Sequence, residues 1–157
     1  MKIALLDGAV LNPGEEMLAF APYFVEYGFY VANHGGTFRA VKSKPDTFAP
    51  DLAALEEAIS PKTRVVLINS PNNPTGNAFP AQEIESLLRR FDGIVVLDEA
   101  YIDFADGGGF LPRLGEFPNL IVLQTLSKAW GMAGLRLGLA FASEEIAGLF
   151  GRVKYPY

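Results

Sequence analysis

The segment "LQTLSKAWGMAGLRLG" (123–138) carries two hydroxyls and an amine, Thr125, Ser127 and Lys128, directly after an apolar run. A guanidinium, Arg136, follows eight residues past the lysine. A hydrophobic core has no use for that set. Hydroxyls at a helix start, joined by an arginine, suit a phosphate. A lysine amine beside them can condense with an aldehyde. These residues describe a ligand that is small, anionic and reactive toward amines.

Elements must place such groups. Apolar runs of strand length occur at "EMLAFA" (16–21), "FYVAN" (29–33), "RVVLIN" (64–69), "GIVVLD" (93–98), "NLIVLQ" (119–124) and "LRLGLAFA" (135–142). They do not alternate cleanly with polar residues, which predicts strands covered on both faces, as in parallel sheets. Helical patterns lie between them. "FAPDLAALEEAIS" sets Leu52, Leu55, Glu56 and Ile59 at helical spacing, with Pro50 suited to a first turn. "PAQEIESLLRRF" carries the stripe Ile84, Leu87, Leu88 and Phe91. "SEEIAGLFGRV" opens on Ser143 as an N-cap, followed by two acids. Alternating strands and helices predict an α/β fold, a three-layer sandwich around a mostly parallel sheet, in one domain.

In such sheets ligands sit beyond the carboxyl ends of the strands. After "RVVLIN" comes "SPNNPTG" (70–76), after "GIVVLD" comes "EAYIDF" (99–104), and after "NLIVLQ" comes "TLSKAWG" (125–131). Each apolar run hands over to polar groups that folding does not require. Together they match one molecule. Pyridoxal phosphate has an aldehyde for Lys128 and a pyridine nitrogen for the carboxylate of Asp98. It also has a ring oxygen for Tyr101 and Asn73, and a phosphate for Thr125, Ser127 and Arg136.

The three motifs, "SPNNPTG", "LDEAYIDF" and "TLSKAWGMAGLRLG", resemble in this order and separation the fold-type I, class I/II pyridoxal-phosphate-dependent aminotransferases. Residues 93–157 look most like histidinol-phosphate aminotransferases, and residues 11–76 more like aspartate- or aromatic-type members. The resemblance implies roles residue by residue. Lys128 is the Schiff-base lysine and proton shuttle, Asp98 the partner of the pyridine nitrogen, and Tyr101 and Asn73 the partners of the ring oxygen. Ser127 and Arg136 bind the phosphate with help from Thr125. In "APYFVEY" (21–27) Phe24, with Tyr23 as the neighbouring option, stacks on the ring. The resemblance also implies a transaminase working with an amino acid or histidinol phosphate as donor and a 2-oxo acid as acceptor, and a homodimer. The start "MKIALLDGAV", with one lysine and then Asp7, is a poor secretion signal, which makes a cytoplasmic location the default expectation. Residues 1–157 are expected to be the central part of the large domain, as a fragment or a chimera. The N-terminal arm, part of the phosphate cup and the small domain would lie outside it. A second class stays open: a non-catalytic α/β domain that folds and at most binds cofactor.

The bulk numbers agree with an ordinary folded domain. Half of the 157 residues are apolar, a fifth are charged, and the net charge is −5. Lysines and arginines are scattered, so no basic stripe points to nucleic acid. No apolar run approaches the roughly 20 residues of a membrane span. The absence of cysteine removes disulfides, zinc–thiolate sites and thiol nucleophiles. His34, the one histidine, has no second histidine with which to bind a metal. Asp98–Glu99 after an apolar strand also resembles a nucleotide hydrolase, but no Gly-Lys-Ser/Thr loop accompanies it. The glycines of 131–138 lack dinucleotide spacing. Glu99 is expected to be structural or to support a site residue, "GGG" (107–109) a flexible loop, and His34 and Trp130 packing residues, with a wall of the site as the alternative for Trp130.

Overall fold

A computed structural model describes residues 8–153. Six strands form one sheet: β1 (Glu16–Ala21), β2 (Thr37–Lys42), β3 (Thr63–Asn69), β4 (Ile94–Asp98), β5 (Leu120–Thr125) and β6 (Gly138–Ala142). Their spatial order is β2-β1-β3-β4-β5-β6. All neighbouring pairs are parallel except β5 with β6.

Four helices of seven or more residues cover the sheet: α1 (Glu26–Asn33), α2 (Leu52–Ala58), α3 (Ala81–Arg90) and α4 (Glu144–Val153). The period-two alternation of strand side chains divides the core into two layers. Leu18, Phe20, Val66, Ile68, Val95, Leu97, Leu120 and Val122 meet Leu55 of α2 and Ile84, Leu87 and Leu88 of α3. Met17, Ala19, Val65, Leu67, Val96, Ile121 and Leu123 meet Tyr27 and Val31 of α1 and Ile146 of α4. Both faces are therefore buried, and this is why the strands read as unbroken apolar runs. The three-layer sandwich holds.

The order of the strands also locates a crevice. From β1 the chain moves outward to β2, then returns past β1 to β3 and onward to β4 and β5. The reversal puts α1 on one face and α2 and α3 on the other, as crossovers of one hand require. The switch point lies between the carboxyl ends of β1 and β3, where sheets of this kind leave room for a ligand.

Three expectations are corrected. Residues 29–33 are not a strand but the end of α1. Tyr27 and Val31, four apart, both face the core, so helical burial overrides the strand preference of Phe, Tyr and Val. The strand in that region is β2, an edge strand whose half-exposed residues leave no apolar run to read. The segment 135–142 becomes a strand only from Gly138. Before it, Ala133–Leu135 forms a 3-10 turn and Arg136 sits in the left-handed region at φ 51°. The second helix starts at Leu52 rather than at Pro50, because Asp51 caps it by accepting the N–H of Ala54. Residues 8–10 are helical; the residues before them lie outside the described region.

Candidate functional site

Because β3, β4 and β5 are adjacent and parallel, their carboxyl ends open at one edge of the sheet. Asn69 lies opposite Asp98, and Asp98 opposite Leu123. The backbone locks this edge together. Ser70 N–H and the Asn69 side-chain amide both donate to the Asp98 carbonyl, and Glu99 N–H donates to Leu123.

The Asp98 carboxylate is half-buried and held at both oxygens. Tyr27 Oη donates to Oδ2 at 2.8 Å, and Ala100 N–H donates to Oδ1 at 3.1 Å. Burial, with the negative charge of Asp98 beside it, pushes the Tyr27 phenol far above its ordinary value, so it stays a neutral donor. Three residues after Asp98, the ring of Tyr101 has the Lys128 amine 5.1 Å from its centroid. Tyr101 and Asn73 line the same cleft of about 650 Å³, with Pro71, Asn72, Phe104 and Asp106 among its walls. That volume lies within the range of small-molecule sites. Asn73 is fixed through its backbone, since its N–H donates to the Asn69 side-chain oxygen at 2.7 Å. One asparagine thus ties the loop after β3 to the end of β4.

The remaining expected residues are placed less uniformly. The Phe24 ring stands edge-on to Tyr27 at 5.6 Å, which connects it through that phenol to Asp98. Tyr23 turns instead to Phe38, at 4.8 Å. Thr125 Oγ1 accepts the N–H of Ser127 and donates to the Leu137 carbonyl, so the last residue of β5 and the turn that follows it bring the two hydroxyl residues together. Arg136 does not join them; its guanidinium folds onto its own turn and donates to the Ala133 carbonyl at 3.2 Å. Lys128 is exposed, and so is Trp130, at 60%, which corrects the expectation of a packing role for that indole.

Two residues near the edge were not singled out for the site from sequence. Asn69 ends an apolar run with an amide, which is a visible signal. Tyr27 gave none, because its partner lies 71 residues away.

Glu99 is structural, as expected, and holds more than itself. Its carboxylate is 2% exposed and accepts from Phe110 N–H at 2.7 Å and from the Gln124 amide at 3.0 Å. This joins the loop that carries Tyr101 to the strand that leads to Lys128. The glycine run is anchored at one end: a Cβ on Gly109 would overlap both Glu99 oxygens. Burial pushes the Glu99 carboxyl above its ordinary 4.5, against the two donors that lower it. The folded chain therefore holds that proton more tightly than the unfolded chain does. The resulting stability is full below pH 4.5 and is lost as pH rises through the raised midpoint. A surface carboxylate paired with arginine acts the other way. Arg113 and Arg89 hold Glu85 down to about 2, so its contribution is present above its ordinary value and lost as pH falls toward 2. Urea midpoints of the wild type and Glu99→Gln, compared from pH 4.5 upward, should show the wild type losing ground as pH rises. A pH-independent difference would contradict the assignment to Glu99.

Comparison with known proteins follows the same lines. Residues 2–157 match the family model "Aminotransferase class I and II". Histidinol-phosphate aminotransferase from Cytophaga hutchinsonii is 46% identical over 157 residues, covering 99% of this chain and 44% of that protein. The enzyme of the same name from Bacteroides thetaiotaomicron is 54% identical over 106 residues, covering 68% of this chain and 30% of that one. The likeness to this group thus runs along the whole chain, residues 11–76 included. Among solved structures, aspartate aminotransferase from Thermus thermophilus, in a structure with maleate, superposes with a TM-score of 0.89 at 32% identity. It covers 97% of this chain and 41% of that one. The chain spans less than half the length of these relatives. Among the described residues no helix is long and apolar enough to cross a membrane.

Proposed function

Because the chain belongs to the class I and II aminotransferase family, we propose that it is the cofactor-holding part of a pyridoxal-phosphate-dependent transaminase. The observation that carries this reading is the approach of the Lys128 amine to the Tyr101 ring, three residues from the Asp98 carboxylate and on the cleft that Asn73 lines. The donor set fits the cofactor. It offers an amine, a half-buried carboxylate held at both oxygens, a phenol and amide beside a roomy cleft, and two hydroxyls brought together at the end of β5.

Pyridoxal phosphate, when bound, supplies an aldehyde that condenses with amines and a protonated ring that draws off electrons. The rest falls to this chain. Lys128 is the amine for that aldehyde and the base that moves a proton at the substrate α-carbon. Asp98 keeps the proton on the ring nitrogen. Tyr101 and Asn73 orient the ring through its oxygen, and Phe24 packs on its face. Thr125 and Ser127 hold the phosphate together with Arg136, whose guanidinium must first leave the Ala133 carbonyl. The names of the curated relatives favour histidinol phosphate as the amino donor. Maleate in the Thermus structure favours a dicarboxylic acid among the acceptors, and transamination requires that acceptor to carry a 2-oxo group. The same kinship supports a homodimer.

A second reading, cofactor binding without turnover, is favoured by the exposure of Lys128 and of Trp130, Leu135 and Leu137 beside it. One titration separates the possibilities. Pyridoxal phosphate added to the protein should give a saturable visible band that Lys128→Ala lacks. Conversion of that band by an amino acid supports transamination, and a band that does not convert supports the second reading. A wild type without a band, or an undiminished band in Lys128→Ala, would sink the site.

A further inference from the structure

Tyr27 is buried to 1% on the α1 side of the sheet, among Met17, Leu67 and Val96. Packing there would be served equally by phenylalanine. A hydroxyl taken out of water costs free energy unless it is bonded. This one spans 71 residues of sequence to donate to Asp98 Oδ2 at 2.8 Å. With Ala100 N–H on Oδ1, it gives each carboxylate oxygen a donor and so fixes the plane of the carboxylate.

We infer that Tyr27 is a positioning residue that acts through Asp98, aiming its carboxylate at the pyridine nitrogen of the cofactor. The inference rests on the function proposed above. Three features support it. The phenol stays protonated, so it remains a donor. It comes from the helix after β1, one side of the switch-point crevice, while Asp98 ends β4 beyond β3 on the other. It also supports the edge-on ring of Phe24, so one side chain steadies both the carboxylate and the aromatic expected to cover the ring.

The test is the affinity of the whole chain for pyridoxal phosphate, read from the visible band, in the wild type, Tyr27→Phe, Asp98→Asn and the double variant. Tyr30→Phe, on the same helix, serves as the control. Tyr27→Phe keeps the buried ring and its contact with Phe24. It should weaken binding about tenfold, the equivalent of roughly 1.4 kcal/mol. In the Asp98→Asn background the same change should alter affinity by less than about twofold, because the two residues act as one unit. Thermal melts followed by circular dichroism confirm that each variant is folded at the temperature of the titration. If Tyr27→Phe does not melt cooperatively, Tyr27→Leu, which also lacks the donor, takes its place with the same expectation. An unchanged affinity in Tyr27→Phe, or an equal loss with and without Asp98, would overturn the inference and leave the proposed function standing. A wild type that gives no band overturns both.

Discussion

Asp98→Asn should lower the affinity for pyridoxal phosphate on the order of a hundredfold, while the fold survives. The two effects have different sources. A charge-assisted hydrogen bond contributes about 2–3 kcal/mol, and an amide cannot balance a positively charged ring. The fold loses less. Asparagine keeps the shape and one acceptor, so only one of the donors, Tyr27 Oη or Ala100 N–H, is left without its partner. That costs about 1 kcal/mol. Affinity titration beside a urea melt reads both quantities. Equal affinity in the two proteins would mean that Asp98 does not face the ring nitrogen.

Leu97→Ala should remove a large share of the stability without touching the cleft. Leu97 is 1% exposed on β4, between β3 and β5, and packs in the layer that includes Val66, Val95 and Val122. Leucine-to-alanine changes in such cores cost about 2–5 kcal/mol through lost burial and the cavity left behind. Domains of this kind have only about 5–15 kcal/mol in total. Leu135→Ala is the matching contrast. Leu135 is 65% exposed in the turn before β6, and its loss should stay within about 0.5 kcal/mol. Urea denaturation should show a large drop in midpoint for the first and almost none for the second. Comparable drops would contradict the assignment of the two positions.

What could be read from the sequence follows from what was buried. β3, β4 and β5 lie between covered faces, so their apolar runs announce them, and the polar residue that ends each run marks the carboxyl edge of the sheet. β2 escaped because an edge strand is half-exposed and needs no such run. The second half of α1 reads as a strand because its aromatic and β-branched residues favour strands, and only tertiary contact shows that Tyr27 and Val31 share a helical face. The site separates in the same way. Asp98 ends β4 in register with Asn69 and Leu123, Tyr101 and Asn73 line one cleft, and Lys128 lies beside Tyr101, so the order of the strands was enough to bring their following loops close. Arg136 depends on the path of an exposed turn, and a left-handed residue carries its side chain to Ala133. Tyr27 reaches Asp98 through a long-range hydrogen bond that no local pattern encodes, whereas Asn69 at least ends its apolar run with a visible amide.

The most direct measurement is to reduce the pyridoxal phosphate complex with borohydride and map the labelled lysine by peptide mass spectrometry. The chain has six lysines: Lys2, Lys42, Lys44, Lys62, Lys128 and Lys154. The label should fall on Lys128, saturate at one per chain, and fade when Asp98 is replaced by asparagine. Label spread over the other lysines, or an Lys128 yield indifferent to Asp98, would show that the amine and the carboxylate do not serve a single cofactor.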